Sequence, residues 1–230
     1  MTDSRPRTPA QPPAGRRRQP AAKPRPASET PAAAAMPAPS EPLGRRERKK
    51  AATRKALSDA ALRLFLERGF TEVTVAEIAE AADTAVTTLF AHFPGGKEAL
   101  ILNDGDEREA ALIAAVRERP EDSSILTALH TFLTRRGPFR PDPDPEFRRR
   151  AELVVATPAL RAYARSLWIG CEAALARVIA EETGRDPDDL SLRVLARYVL
   201  ETPDLAGGEP DPRRALDVVF THLRRGWPDL

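Results

Sequence analysis

From Arg45 onward the apolar residues recur at helical spacing. Leu57, Ala61, Leu64 and Phe65 fall at i, i+4, i+7 and i+8, one stripe of a helix predicted over about 46–68. Gly69 follows the last periodic residue, the usual place for a left-handed cap. Thr74-Val75-Ala76-Glu77 has the spacing of a capping box and predicts a second, short helix with Val75, Ile78 and Ala79 facing inward. Ala82-Asp83-Thr84 interrupts it. A third helix is expected from about Ala85 to Phe93, where Leu89 and Phe93 stand four apart, and Pro94-Gly95-Gly96 stops it. Beyond Lys97 the periodicity predicts helices over about 97–118, 124–135, 146–156, 159–183, 188–201 and 212–226. Breaks are expected at Pro120, Gly137-Pro138, Thr157-Pro158, Gly184 to Pro187 and Pro203 to Pro212. No alternating β-branched run lies between hairpin turns, so the fold class is all-α.

Residues 1–44 lack this pattern. They hold 11 of the 23 prolines, and their only large aliphatic side chains are Met36 and Leu43. Such a segment buries too little apolar surface to offset its ordering entropy, so it is expected to be a disordered arm rich in Pro, Ala and Arg. Two readings stay open for it. It is a solvated tail, with Met36 an alternative start of translation, or a basic arm whose Arg16, Arg17, Arg18, Lys23 and Arg25 add non-specific phosphate affinity.

Net charge is +2 over 230 residues, but its distribution is uneven. Residues 1–55 carry 14 Lys+Arg against 4 Asp+Glu, whereas the other 175 carry 22 against 30. A basic end joined to an acidic body points to a polyanionic partner for the first part only. One Cys excludes an internal disulfide framework and Cys-rich zinc modules, and three scattered His give no metal-ligand spacing. No metal and no cofactor is therefore expected. The chain has no apolar run of transmembrane length, and its first 20 residues lack the apolar core of a secretory signal, so a cytoplasmic location is expected.

Two short helices joined by a three-residue turn describe a helix-turn-helix. Ala79 is small where the two helices nearly touch, and Ile78, Ala82 and Leu89 fill the space between them. Asp83 must adopt a left-handed backbone, which Asp visits more readily than most residues. A generic helical hairpin gives the same spacing. The surrounding stretch from Ala60 to Leu100 narrows the choice. Its Arg68-Gly69-Phe70, Thr74-Val75, Ile78-Ala79, Thr88-Leu89-Phe90, His92-Phe93 and Lys97-Glu98 resemble the DNA-binding domain of TetR-family transcriptional regulators. The likeness covers roughly residues 46–102.

The resemblance implies a helix-turn-helix DNA-binding domain over 45–96 and a larger helical ligand-binding and dimerisation domain over 97–230. It also implies that the third helix enters the major groove. Val86, Thr87 and Ala91 are then the base-facing residues, with Thr88 beside them. No Arg, Lys, Asn or Gln stands among them, so no bidentate contact to guanine or adenine is available. Thymine methyl contacts, hydroxyl hydrogen bonds and DNA shape remain. Phosphate contacts are expected from Arg45, Arg46, Arg48, Lys49 and Lys50, from Thr74 at the second helix N-terminus, and from Thr88, His92 and Lys97. Four departures stand out. Asp83 replaces the usual turn glycine, and Thr84 a usual valine. Phe90 lacks the hydroxyl of a common Tyr. The link Pro94-Gly95-Gly96-Lys97 is one residue longer than usual.

A single helix-turn-helix reads one half-site, so a two-fold homodimer on a near-palindromic double-stranded operator follows. Leu195, Tyr198, Val199, Leu216, Val219, Phe220 and Leu223 on the last two helices are the expected dimer seam. His130, Phe132, Tyr163, Leu167, Trp168 and Cys171 are the expected pocket for a small-molecule effector, an apolar acyl chain or an aromatic compound. The implied function is a ligand-responsive, sequence-specific repressor. A helical-bundle enzyme is disfavoured, because no Gly-rich phosphate loop, metal-ligand spacing or nucleophile–base set occurs. A non-specific nucleic-acid binder acting through the basic arm is the third reading.

Overall fold

A computed structural model describes residues 44–102 and 105–228, apart from the side chains of residues 105 and 106. The arm expected over residues 1–44 lies outside the described residues except for Gly44. The order is α1 (Arg45–Arg68), α2 (Val75–Ala81), α3 (Val86–His92), α4 (Gly96–Ala99), α5 (Gly105–Arg117), α6 (Ile125–Thr134), α7 (Pro145–Ala156), α8 (Pro158–Ile169), α9 (Glu172–Thr183), α10 (Leu190–Gly207) and α11 (Pro212–Gly226). A 3-10 turn, Gly137–Phe139, joins α6 to α7. The described residues contain no strand. None of their helices is long and apolar enough to cross a membrane.

Two apolar cores organise these helices. The first is built from Leu57, Ala61 and Phe65 of α1, Ile78 and Ala79 of α2, Leu89 of α3, and Ala99, Leu100 and Ile101 at α4, with Leu160 of α8. The second gathers α5, α6, α9, α10 and α11 around Leu112, Leu129, Ile179, Leu195 and Phe220. Helix α7 packs on the first core, and α8 serves both. Leu153, Val154 and Tyr163 pack on the first core, and Trp168 and Ile169 on the second.

Three sequence expectations need correction. The helix expected over 97–118 is two helices, α4 and α5. The Ile101 carbonyl, which would continue the ladder, instead accepts from the Arg150 guanidinium of α7, through Nε at 3.1 Å and through Nη2. The helix expected over 159–183 breaks at Gly170-Cys171, where glycine adds no helix propensity and Cys171 turns into the second core. The break expected from Pro203 starts later, because α10 runs through Pro203 to Gly207. Buried Ala206 and Gly207 hold that last turn against the 3-10 turn, and a side-chain carbon at Gly207 would lie 3.2 Å from Pro138. Tertiary packing there outweighs the hydrogen bond that proline removes.

Candidate DNA interface and internal cavity

The turn between α2 and α3 follows a Schellman pattern. The Thr84 amide donates to the Ala79 carbonyl at 2.9 Å and the Asp83 amide to Glu80 at 3.0 Å. Asp83 has φ +49°, so it takes the left-handed position that glycine usually fills. This geometry sets α3 across α2 with Leu89 fully buried between them. Thr87 and Ala91 are exposed on the outer side of α3, and Thr88 is half-buried. Val86 is also half-buried and packs against the first core, so it offers less surface than expected. Phe90 is 45% exposed, which adds an apolar ring to the outer face of α3. In the sequence Phe90 stands out only for its missing hydroxyl.

Arg54 holds the far end of α3. Its Nη1 donates to the His92 carbonyl at 2.7 Å, and its guanidinium lies 4.6 Å from the Phe93 ring centroid. That bond satisfies a C-terminal carbonyl that a seven-residue helix leaves open. This role of Arg54 is hidden in the sequence, because it sits within a basic run that looks uniformly solvated. The signal was its spacing, since it lies three residues before buried Leu57, on the same face. His92 is half-buried, and its Nδ1 is buried without a hydrogen-bond partner, so any phosphate contact falls to Nε2.

Lys97 and Thr74 are placed differently from the expectation. The Lys97 ammonium donates to the Val73 carbonyl at 2.7 Å and lies 4.2 Å from the Phe70 ring centroid. Burial pushes its pKa below the usual lysine value. It ties α4 to the loop before α2 and is not presented as an outward cation. The Thr74 hydroxyl accepts from the Glu77 amide at 3.3 Å and donates to Glu77 Oε2 at 2.8 Å, and Oε2 also accepts from the Thr74 amide at 2.8 Å. Arg68 pairs with Glu77 Oε1 at 2.7 Å. The Thr74 bonds, followed by Arg68, lower the Glu77 pKa to about 2. A carboxylate therefore occupies the place at the start of α2 where a phosphate was expected. Arg45, Arg46, Arg48, Lys49 and Lys50 remain exposed along the first two turns of α1, with no ion pair among the described residues.

The expected dimer seam is corrected in the same way. Leu195, Val199, Leu216, Phe220 and Leu223 are sealed within the chain's own second core and cannot meet a partner's surface. Tyr198 is exposed and Val219 is half-buried against that core. Leu205 and Val218 are 62% and 51% exposed, so with Leu190 at the start of α10 they join Tyr198 among the outward apolar residues of α10 and α11. Tyr198 and Leu205 lie seven residues apart on one helix face. The sequence periodicity located the apolar face of each helix correctly, but that face closes the monomer.

A cavity of about 1070 Å³ opens between α5, α6, α7, α8 and the end of α10. Of the six expected lining residues it includes Phe132 and Trp168. The other four serve elsewhere. His130 bonds Asp217 at 2.8 Å and packs on Phe220, between α6 and α11. Tyr163 packs on the first core, Cys171 is buried in the second, and Leu167 is half-buried outside the cavity wall. The wall carries eight arginines, more cationic than the expected apolar lining. A periodicity argument finds buried rings but cannot see which arginines converge across helices.

A helix-turn-helix braced on a basic helix, followed by a helical body around a cavity, defines a DNA-binding regulator of transcription. Residues 57–103 match the bacterial regulatory proteins of the tetR family, and residues 123–202 match the MftR C-terminal domain. The chain is 34% identical over 152 residues to the HTH-type transcriptional regulator TcmR of Streptomyces glaucescens, covering 64% of this chain and 67% of that protein. It is 28% identical over 153 residues to MftR of Mycobacterium tuberculosis, a transcriptional regulator named for mycofactocin biosynthesis, covering 66% and 77%. Among solved structures, GusR of Salmonella enterica aligns at 23% identity with a TM-score of 0.48, covering 75% of this chain and 94% of that one. The chain belongs to the tetR family of bacterial transcriptional regulators. It is a regulator and not an enzyme.

Proposed function

We propose that two copies of this chain bind a near-palindromic operator as a repressor, and that a small molecule entering the internal cavity releases them. The helix-turn-helix domain runs from Arg45 to the α4 region, and the remaining helices form the effector and dimerisation domain. The single observation that carries the reading is a shared wall. Ile101, Leu102 and Val154 belong to the packing of the first core and also line the cavity. Arg150, which grips the Ile101 carbonyl, lines it too. A ligand that displaces this wall displaces α4, and with it the core that sets the angle of α3. The ligand needs only a different affinity for the two arrangements to shift their populations.

On the DNA, Thr87, Phe90 and Ala91 supply apolar contact to thymine methyls, with Thr88 and the partly covered Val86 at the edge. Arg45, Arg46, Lys49 and Lys50 supply phosphate attraction. Lys97 and Arg54 position the reading helix from within. Outward Tyr198, Leu205 and Val218 supply the dimer contact. Genomic fragments selected by the purified full-length protein and then footprinted should yield two half-sites about 34 Å apart, or a multiple of that. Retention that bulk DNA competes away equally, with no shared sequence, overturns the reading.

A further inference from the structure

We infer that the cavity takes an organic anion, a carboxylate or phosphate carried on an apolar body. This deepens the effector reading above and rests on it. The cavity is roomy because its helices present alanines to it: Ala111, Ala114, Ala115, Ala128, Ala151 and Ala164. Its volume of about 1070 Å³ is at the upper end for a drug-sized organic ligand. Against this apolar lining stand eight arginines and, among the described residues, two carboxylates, Glu118 and Asp204.

The arginines divide by what they touch. Arg161 pairs with Asp204 at 2.9 Å, Arg165 with Glu201, and Arg119 with Glu182 at 2.6 Å. These three are neutralised in place and brace α8 on α10 and the turn after α5 on α9. Arg150 is engaged by the Ile101 carbonyl. Another three lie over aromatic rings. Arg108 is 4.7 Å from the Trp168 centroid, Arg136 is 4.2 Å from Phe132, and Arg140 is 4.3 Å from Phe147. All six of these residues line the cavity.

A guanidinium held face-on to a ring keeps its N–H groups in the plane of its edge, the geometry that binds carboxylate or phosphate bidentately. Arg140 is the clearest candidate. It is half-buried, its guanidinium lies over the Phe147 ring, and its side chain has no hydrogen-bond partner among the described residues. The side chain of Arg135, exposed at the same mouth, likewise has none. Even with Glu182 and Glu201 counted, the described wall is strongly cationic. Each Arg–ring pair offers a cation and an apolar face side by side, which is the recognition a neutral ligand leaves half unused. Leaving such a half-buried charge without an anion is costly, so an anion is what the site selects.

The test uses two fluorescent probes with one aromatic body. These are 8-anilinonaphthalene-1-sulfonate and its uncharged counterpart N-phenyl-1-naphthylamine. The full-length protein should bind the sulfonate at least about tenfold more tightly, the scale of one charge-assisted hydrogen bond. Arg140→Gln should erase most of that preference and Arg140→Lys should retain it, with Arg135→Gln as an exposed second variant that leaves the packing untouched. Decanoate and decyl phosphate should each displace the bound sulfonate probe where decanol does not, and the stronger of the two identifies the head group. Equal or tighter binding of the uncharged probe, or a preference that survives both Gln variants, overturns the anion inference while leaving the effector reading standing. Exclusion of both probes overturns the effector reading, and the inference with it.

Discussion

The Tyr163 hydroxyl occupies the space that a side chain at Gly95 would need. Gly95 has an ordinary backbone, with φ −74°, so the constraint on it is steric and comes from α8. The extra residue in the Pro94-Gly95-Gly96 link is thus a seat for a residue of the body. Gly95→Ala should destabilise the folded chain by about 1–3 kcal/mol, the range for overpacking a filled site. Tyr163→Phe in the same chain should restore part of that loss. Chemical denaturation of the four members of this cycle should give a coupling above about 0.5 kcal/mol. Simple additivity of the two substitutions would remove the contact from the account.

Asp83 stands at φ +49° within an otherwise ordinary Schellman turn. Glycine adopts that conformation without the Cβ contact that an L residue suffers. Asp83→Gly should therefore raise unfolding stability by about 0.5–1 kcal/mol, after glycine's greater unfolded-state freedom is subtracted. Urea unfolding measures it, and a loss of stability would show that the Asp83 carboxylate contributes something the backbone does not reveal.

Glu77 carries the clearest acid dependence. Its carboxyl falls from 4.5 to about 2 because it accepts from Thr74 and pairs with Arg68. Between those two values the unfolded chain binds a proton that the folded chain does not. Stability from this group is complete above the upper value and is lost as pH falls through the lower one. Glu77→Gln should flatten the pH dependence of unfolding within that window and lower stability near neutrality. Parallel melts of both chains across the window check the sign.

Arg54 and the outer cations of α1 make separable predictions. Arg54→Ala leaves the His92 carbonyl open and loosens the end of α3. Operator affinity should fall by about tenfold with the salt dependence unchanged, because no phosphate contact is lost. Lys49→Ala with Lys50→Ala should instead flatten the slope of log affinity against log salt, by about 0.9 for each contact removed. Titrations at several salt concentrations separate the two, and a flattened slope for Arg54→Ala would make it a phosphate ligand.

Leu205 is 62% exposed on the face that also bears Tyr198. A charge there should oppose association without disturbing the monomer core. Leu205→Glu is expected to shift the mass in solution from dimer toward monomer and to weaken operator binding in step. A monomeric wild-type chain, or a dimer that tolerates the charge, would move the seam elsewhere.

The DNA-binding half was largely legible in the sequence because its signals are local. The capping box at Thr74 and Glu77, the turn at Asp83 and the stop after Phe93 all stand where the spacing put them. What the sequence could not show were contacts between distant segments. Arg150 ending α4, Arg54 reaching α3, and Lys97 turning inward to Val73 all join residues 24 or more positions apart. The helix pair α10 and α11 shows the same limit. Its periodicity marked Leu195 and Phe220 as apolar-facing, but only packing decides whether such a face closes its own chain or meets another.

In the proposed mechanism, the wall that Ile101, Leu102 and Val154 share between core and cavity acts in both directions. Whatever factor the ligand takes from operator affinity, a bound operator must take from ligand affinity. The concentration of effector needed for release is then no fixed property of the cavity. It rises as more of the protein is held on DNA, so a cell carrying extra copies of the operator would answer the same signal later.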